Sequence, residues 1–275
     1  MENKPLKANY HSHTFRCGHA EGTDEEFVRA AIENGYEIYG VTDHVMIPNH
    51  PQMGMRGTYE VYAQNYFDSI RALKEKYKSK IELHLGFEAE WLEDVTADYY
   101  HDLLSKGIVE YLLLGQHCFL DSSNHWVWYR DIYDTKAATR LYLKNLIEGM
   151  KSGDFLYVAH PDFYMMWYGK WDDFAKEIAH EIINTAKDLH MILEVNMGPS
   201  RWGKKNYIGQ ELRVPYPDED FWNVVAEADI PCVIGVDNHR PYELKTSPYD
   251  WVRSFVSRHQ LRWLETIDIP SRKTK

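Results

Sequence analysis

Three histidines, His11, His13 and His19, fall within nine residues near the start of the chain, and six more metal-ligating side chains follow at His44, Glu88, His117, His160, Asp237 and His239. Side chains alternate faces along a strand, so His11 and His13 point the same way and can grip one ion while Ser12 faces the opposite side. His19 lies past Gly18 and would reach back from a loop to serve a neighbouring ion. Seven imidazoles and two carboxylates are too many for one cation, because each ion takes about three or four protein ligands and leaves room for water or substrate. The set suits two or three divalent ions, and mixed imidazole and carboxylate ligation accepts zinc, manganese or iron. Glu88 fits a bridging position, since a carboxylate has an oxygen for each of two ions.

Most of these residues stand at the ends of apolar runs. The runs are residues 37–44, 81–88, 111–117, 155–161, 191–196 and 231–239, together with the first strand around His11. Between them the pattern predicts helices. One opens at Thr23 with Glu26 completing a capping box, and others span about 59–77, 99–106, 135–151, 173–189 and 218–228. Seven strands separated by helices imply parallel pairing, because each crossover returns the chain to the same end of the sheet. The expected architecture is α/β, a closed seven-stranded barrel formed as one domain over residues 1–275, with 271–275 a frayed tail. Its carboxyl mouth would gather the strand-terminal polar residues. An open doubly wound sheet fits less well, since no glycine-rich phosphate loop follows the first strand.

The composition limits the possible partners. Acidic residues outnumber basic ones by 42 to 31 for a net charge of −11, so the surface repels extended nucleic acid. A small anionic substrate remains compatible, because bound cations invert the local field. Three cysteines form no paired framework, the first residues carry no signal peptide, and no apolar run is long enough for a bilayer. A soluble cytoplasmic protein is expected.

The phrases His11-Ser12-His13, Gly18-His19, Thr42-Asp43-His44, Gly86-x-Glu88, Gly115-x-His117, Ala159-His160-Pro161 and Asp237-Asn238-His239 resemble, in order and over nearly the whole chain, the polymerase-and-histidinol-phosphatase (PHP) family. The length and the segment 34–44 look most like its stand-alone histidinol-phosphatases. The resemblance implies a distorted seven-stranded, TIM-like barrel holding a trinuclear centre. One ion would take His11, His13, Glu88 and Asp237, the second Glu88, His117 and His160, and the third His19, His44 and His239. It further implies hydrolysis of a phosphate monoester, L-histidinol phosphate above others, by a hydroxide bridging two of the ions.

Water held between two cations is ionised near neutral pH, and the same cations neutralise charge on phosphoryl oxygens. Asp237 or a coordinated water would protonate the leaving alkoxide. Arg201, directly after the sixth strand, is the first candidate to fork onto phosphate, with Arg56, Arg130 and Arg240 as competitors. Asp43 alternates away from His44 and reads as a support. Cys17 and Cys118 adjoin ligands but stay outside the metal set. His84 and the remaining histidines read as packing or surface residues. Trp126, Trp128, Tyr129, Tyr164, Trp167, Tyr168 and Trp171 fall in loops expected to overhang the mouth as a lid or wall. Glu90 and Asp162 are the nearest acids for a substrate amine. Other readings keep a hydrolase but change its substrate, to another small phosphate or a nucleotide 3′-end. An amidohydrolase also begins with HxH, but usually has a bridging lysine where Glu88 stands.

Overall fold

The computed structural model describes residues 3–203 and 213–270, so the basic tail 271–275 lies outside the described residues. The apolar runs become the strands of one parallel sheet. In chain order the elements are β1 (Ala8–Asn9), α1 (Asp24–Glu33), β2 (Ile38–Val41), α2 (Tyr59–Tyr77), β3 (Glu82–Ala89), α3 (Glu93–Ser105) and β4 (Tyr111–Leu114). A hairpin follows, β5 (Cys118–Leu120) and β6 (Trp126–Trp128), then α4 (Thr135–Ser152), β7 (Tyr157–Val158), α5 (Met165–Tyr168), α6 (Asp173–Asp188) and β8 (Ile192–Asn196). The last elements are α7 (Glu219–Glu227), β9 (Pro231–Gly235), α8 (Glu243–Thr246), α9 (Tyr249–Arg258) and β10 (Arg262–Trp263).

The sheet order is β1-β2-β3-β4-β7-β8-β9-β10, every neighbouring pair is parallel, and the β5-β6 hairpin stands apart. All seven anticipated strands are present, and the two-residue β10 adds an eighth. The sheet curls until its ends meet at the top, where the Asp237 amide donates to His11 O and the His13 amide to Asn238 O, both at 3.0 Å. Lower in the seam β10 pairs with β9, and the segment beyond it reaches back to Tyr10, whose hydroxyl bonds Ile267.

Local chemistry fixes the helices. Thr23 and Glu26 form the expected capping box on α1, and the carboxylates of Asp134, Asp172 and Asp218 cap α4, α6 and α7. The third helix starts at Glu93, earlier than the apolar spacing suggested. Glu93 and Asp94 sit at its positive end, and the Thr96 hydroxyl bonds back to Leu92 O.

The core has two compartments. The larger lies between sheet and helices, where side chains such as Phe27, Ile70, Leu146, Ile178 and Ile182 are buried, each contributing about 1.5–3 kcal/mol. The smaller fills the barrel interior with Ala8, Tyr10, Tyr111, Leu113, Tyr157, Ala159 and Val233. This plug is the floor on which the polar cluster at the mouth rests.

At the foot of β3 Glu110 receives Lys74 Nζ at 2.7 Å and His84 Nδ1 at 2.7 Å, so His84 serves packing as expected. Burial raises the Glu110 carboxyl, but His84 and Lys74 outweigh it and bring the pKa down to about 2. A depressed carboxyl adds stability above its unfolded pKa near 4.5, lost as pH falls toward 2. The group is partly exposed, so solvent screening limits the effect to about 1 kcal/mol. Glu110→Gln should therefore lower the urea midpoint at pH 7, with the gap to the parent closing between about pH 4.5 and 2. A gap that stays constant across that range would assign the loss to packing instead.

Candidate metal centre

The sheet brings all nine predicted side chains to one end. His11 and His13 flank the Ser12 bridge to Asn238, Glu88 stands near the end of β3, and His117, His160, Asp237 and His239 follow β4, β7 and β9. Glu88 is the hub. Its Oε1 lies 2.7 Å from His160 Nε2 and 3.3 Å from His117 Nε2, while Oε2 lies 3.0 Å from His44 Nδ1, 3.4 Å from His11 Nε2 and 3.5 Å from His13 Nε2. Asp237 Oδ1 is 3.0 Å from His13 Nε2. At the exposed rim His19 Nε2 meets His239 Nε2 at 2.9 Å.

A second set of residues fixes the ring orientations. His11 Nδ1 donates to Glu194 at 2.8 Å and His117 Nδ1 to Glu90 at 3.0 Å, so each turns its Nε2 toward Glu88. Glu90 is in turn held by Arg56 at 2.8 Å, and Arg56 stacks on Trp126. These contacts commit Glu90 to the protein, as Asp162 is committed to the Asp218 amide and Trp222. Asp43 supports its neighbours as expected, accepting from the Thr14 hydroxyl and the His44 amide.

Glycines let the carboxylates sit so close to the sheet. A Cβ on Gly115 would fall 2.2 Å from Glu88 Oε1, and one on Gly235 would fall 1.5 Å from Glu194 Oε1. His160 and Asp237 adopt φ of 33° and 52°, a left-handed backbone that non-glycine residues hold at a cost of about 1–3 kcal/mol, characteristic of functional positions.

The electrostatics favour cations at the centre. Burial opposes ionisation of Glu88 and Asp237, yet the surrounding imidazoles hold both well below the usual carboxylate range. Burial also works against charging His13 and His117, but the neighbouring carboxylates lift both to about 9. Burial and the His13 charge depress His19, His44 and His239. Asp237 Oδ1 and the Nδ1 atoms of His13, His44 and His160 are buried without a hydrogen bond. Ligand atoms lie within 4.8 Å of one another in His11/His13/Asp237, His44/Glu88/His117, His13/His44/His239 and Cys17/His19/His239. Unpaired lone pairs at that spacing, on nitrogen and carboxylate donors, fit divalent metal binding.

Above the cluster opens a cavity of about 290 Å³ whose walls include Met55, Trp128, Arg130, Phe163, Trp202 and Tyr216. The aromatic wall is thus only partly the expected one, because Tyr129, Tyr164 and Trp167 turn into the core.

The expectation for Arg201 does not fit this geometry. Its guanidinium donates to Val236 O at 2.8 Å and Asp237 O at 2.6 Å, so it braces the turn that carries Asp237. Arg130, stacked on Trp128, is the guanidinium on the cavity wall among the described residues.

Glu194 was not anticipated. It accepts from His11, the His160 amide and Asn196, and is fully buried. The available signal was an acid flanked by Leu193 and Val195 inside an apolar strand. Glu194→Gln should cost 10- to 100-fold in metal affinity or turnover, the usual range for a residue that orients a ligand. Metal titration of the variant checks this, and an unchanged affinity and rate would remove the role.

The sequence pattern of the PHP domain matches residues 9–198. A Deinococcus radiodurans protein named a probable histidinol-phosphatase is 26% identical over 246 residues, covering 85% of this chain and 86% of that one. A protein of the same description from Schizosaccharomyces pombe is 19% identical, covering 92% and 86%. The fold is similar to that of a Lactococcus lactis histidinol phosphate phosphatase crystallised with zinc, L-histidinol and phosphate. That likeness has a TM-score of 0.68 and 17% identity, covering 96% of this chain and 99% of that one.

Proposed function

The chain belongs to the PHP-domain family, and from that premise we propose that it is a metal-dependent phosphomonoesterase whose substrate is L-histidinol phosphate. The observation that carries the reading is the division of Glu88, one oxygen facing His117 and His160 and the other facing His11, His13 and His44. A carboxylate so divided is suited to hold two cations side by side. In this reading His11, His13, Glu88 and Asp237 would hold one, Glu88, His117 and His160 the second, and His19, His44 and His239 the outermost. Bound divalent ions supply an ionised water at neutral pH and neutralise developing phosphoryl charge.

The chain's own groups do the rest. Arg130 brings a positive charge to the mouth for the phosphate, and Phe163, Tyr216, Trp128 and Trp202 offer faces for the imidazole of the alcohol. Asp237 lines the same cavity as an ionised carboxylate, and we assign it the role of taking a proton from the attacking water and passing it to the departing alkoxide. Three unpaired, buried cysteines support a reducing cytoplasmic setting, and no helix among the described residues is long and apolar enough to cross a membrane.

The test is phosphate release from L-histidinol phosphate by protein loaded with manganese, zinc or iron, beside a chelated control and a panel of sugar and nucleotide monophosphates. Turnover that prefers histidinol phosphate and stops on chelation is expected. Equal, slow release from the whole panel would overturn the substrate while leaving the chemistry.

A further inference from the structure

A phenol taken out of water keeps a partner for its hydroxyl, and the buried tyrosines of this chain obey that rule with one exception among the described residues. The hydroxyls of Tyr66, Tyr100, Tyr142 and Tyr164 donate to backbone carbonyls at 2.7–3.1 Å. The others bond to carbonyls, carboxylates, side-chain amides or one another. Tyr216 is the exception: it is only 3% exposed, and its hydroxyl has no hydrogen bond among the described residues.

Its surroundings suit a ligand. Tyr216 lines the cavity above the polar cluster together with Glu88, His117 and Asp237. Its ring centroid stands 5.6 Å from that of His160 and 5.5 Å from that of Phe163. The segment that carries it is pinned, because Asp218 caps α7 and donates its amide at 2.6 Å to Asp162, which follows His160 by two residues. Burial, with the charges of Asp237 and Glu88, holds the phenol well above its usual range. At neutral pH the hydroxyl is therefore a donor. Nothing in the cavity wall accepts from it, and an oxyanion entering the cavity would.

We infer that the Tyr216 hydroxyl donates a hydrogen bond to a non-bridging phosphoryl oxygen of the substrate, which makes Tyr216 a catalytic residue as well as a face for the alcohol. The inference rests on the phosphomonoesterase reading above. No proton changes hands in this contact, and the phenol stays a phenol. A bond from a fixed donor to an anionic oxygen strengthens as charge builds during displacement and needs little rearrangement at that moment. Arg130 brings charge to the same cavity from its place after β6, while Tyr216 brings direction from the segment before α7.

Tyr216→Phe removes one oxygen and keeps the ring. In the metal-loaded full chain it should lower kcat/KM for phosphate release by about 10- to 100-fold, mostly in kcat, and weaken the binding of inorganic phosphate, read by titration calorimetry, by about 10-fold. A ring that only lines the wall would leave a folded Phe variant with the parent's rate and phosphate affinity, and that result overturns the inference alone. Weakened phosphate binding in a variant with the parent's circular-dichroism spectrum supports it, whichever monoester the parent prefers. If the variant does not fold, the parent decides: added phosphate should red-shift the tyrosine absorption in the near ultraviolet as the phenol begins to donate, and an unchanged spectrum overturns the contact. A metal-loaded parent that binds no phosphate and releases none from any monoester would overturn the phosphomonoesterase reading and the contact together.

Discussion

Replacing Glu88 with glutamine is expected to lower kcat/KM for phosphate release by about a thousandfold or more, a loss of about 4 kcal/mol in transition-state stabilisation. The amide keeps the shape and one acceptor oxygen, but its nitrogen repels a cation and its charge is gone. Glu88 is nearly fully buried, and five imidazoles lie within 3.5 Å of its two oxygens. No neighbour can take over both sides of that bridge. Metal content by atomic emission should fall with the rate, while the circular-dichroism spectrum stays that of the parent. A folded variant with full metal content and a rate within tenfold of the parent would contradict the bridging role. Gly115→Ala offers an independent approach to the same oxygen, because its methyl would fall 2.2 Å from Glu88 Oε1 and force it to move.

Removal of the cations should abolish turnover and also lower the thermal midpoint. A ligand present at 100 times its dissociation constant stabilises the folded state by about 2.7 kcal/mol per site. For a chain of this size each kcal/mol corresponds to about 2–4 °C, so chelation should lower the midpoint by roughly 5–11 °C for one such site and more for several. Readdition of zinc or manganese should restore both. The direction follows from the carboxylates and imidazoles held at the mouth with buried lone pairs left unbonded. Identical melting curves with and without chelator, at metal concentrations that support turnover, would show that the cations are not held by the folded site.

Much of this arrangement was legible in the order of residues. The HxH spacing at His11 and His13, and polar residues ending apolar runs at His44, Glu88, His117, His160 and Asp237, need only strand alternation and parallel pairing to converge. What the sequence hid depends on partners distant in the chain. Glu194 sits inside a strand rather than at its end, so its bond to His11 could be seen only once β8 and the first strand faced each other. Arg201 looked free for phosphate because nothing in a sequence tells which backbone carbonyls a guanidinium will meet. The aromatic residues after the fourth and fifth strands divide between core and cavity by the course of the β5-β6 hairpin and α5, whose short spans carry little periodicity. The two-residue β10 is below the length at which a pattern can be recognised.

The seam at the barrel mouth has a consequence for how the chain folds. Asn9 Nδ2 bonds Asn238 Oδ1 across 229 residues, and the adjacent seam bonds involve the backbone of His11, His13 and Asp237. Closing a loop of that length costs about 5 kcal/mol of chain entropy, paid before any contact across it is made. The first strand can pair with β2 early, but the seam waits for β9, and a growing chain presents only fragments of the ligand set until that strand has emerged and returned. A cation gripped by His11 and His13 from one end and Asp237 from the other would act as a reversible cross-link between the ends of the fold. Full coordination would then mark a molecule whose sheet has already closed.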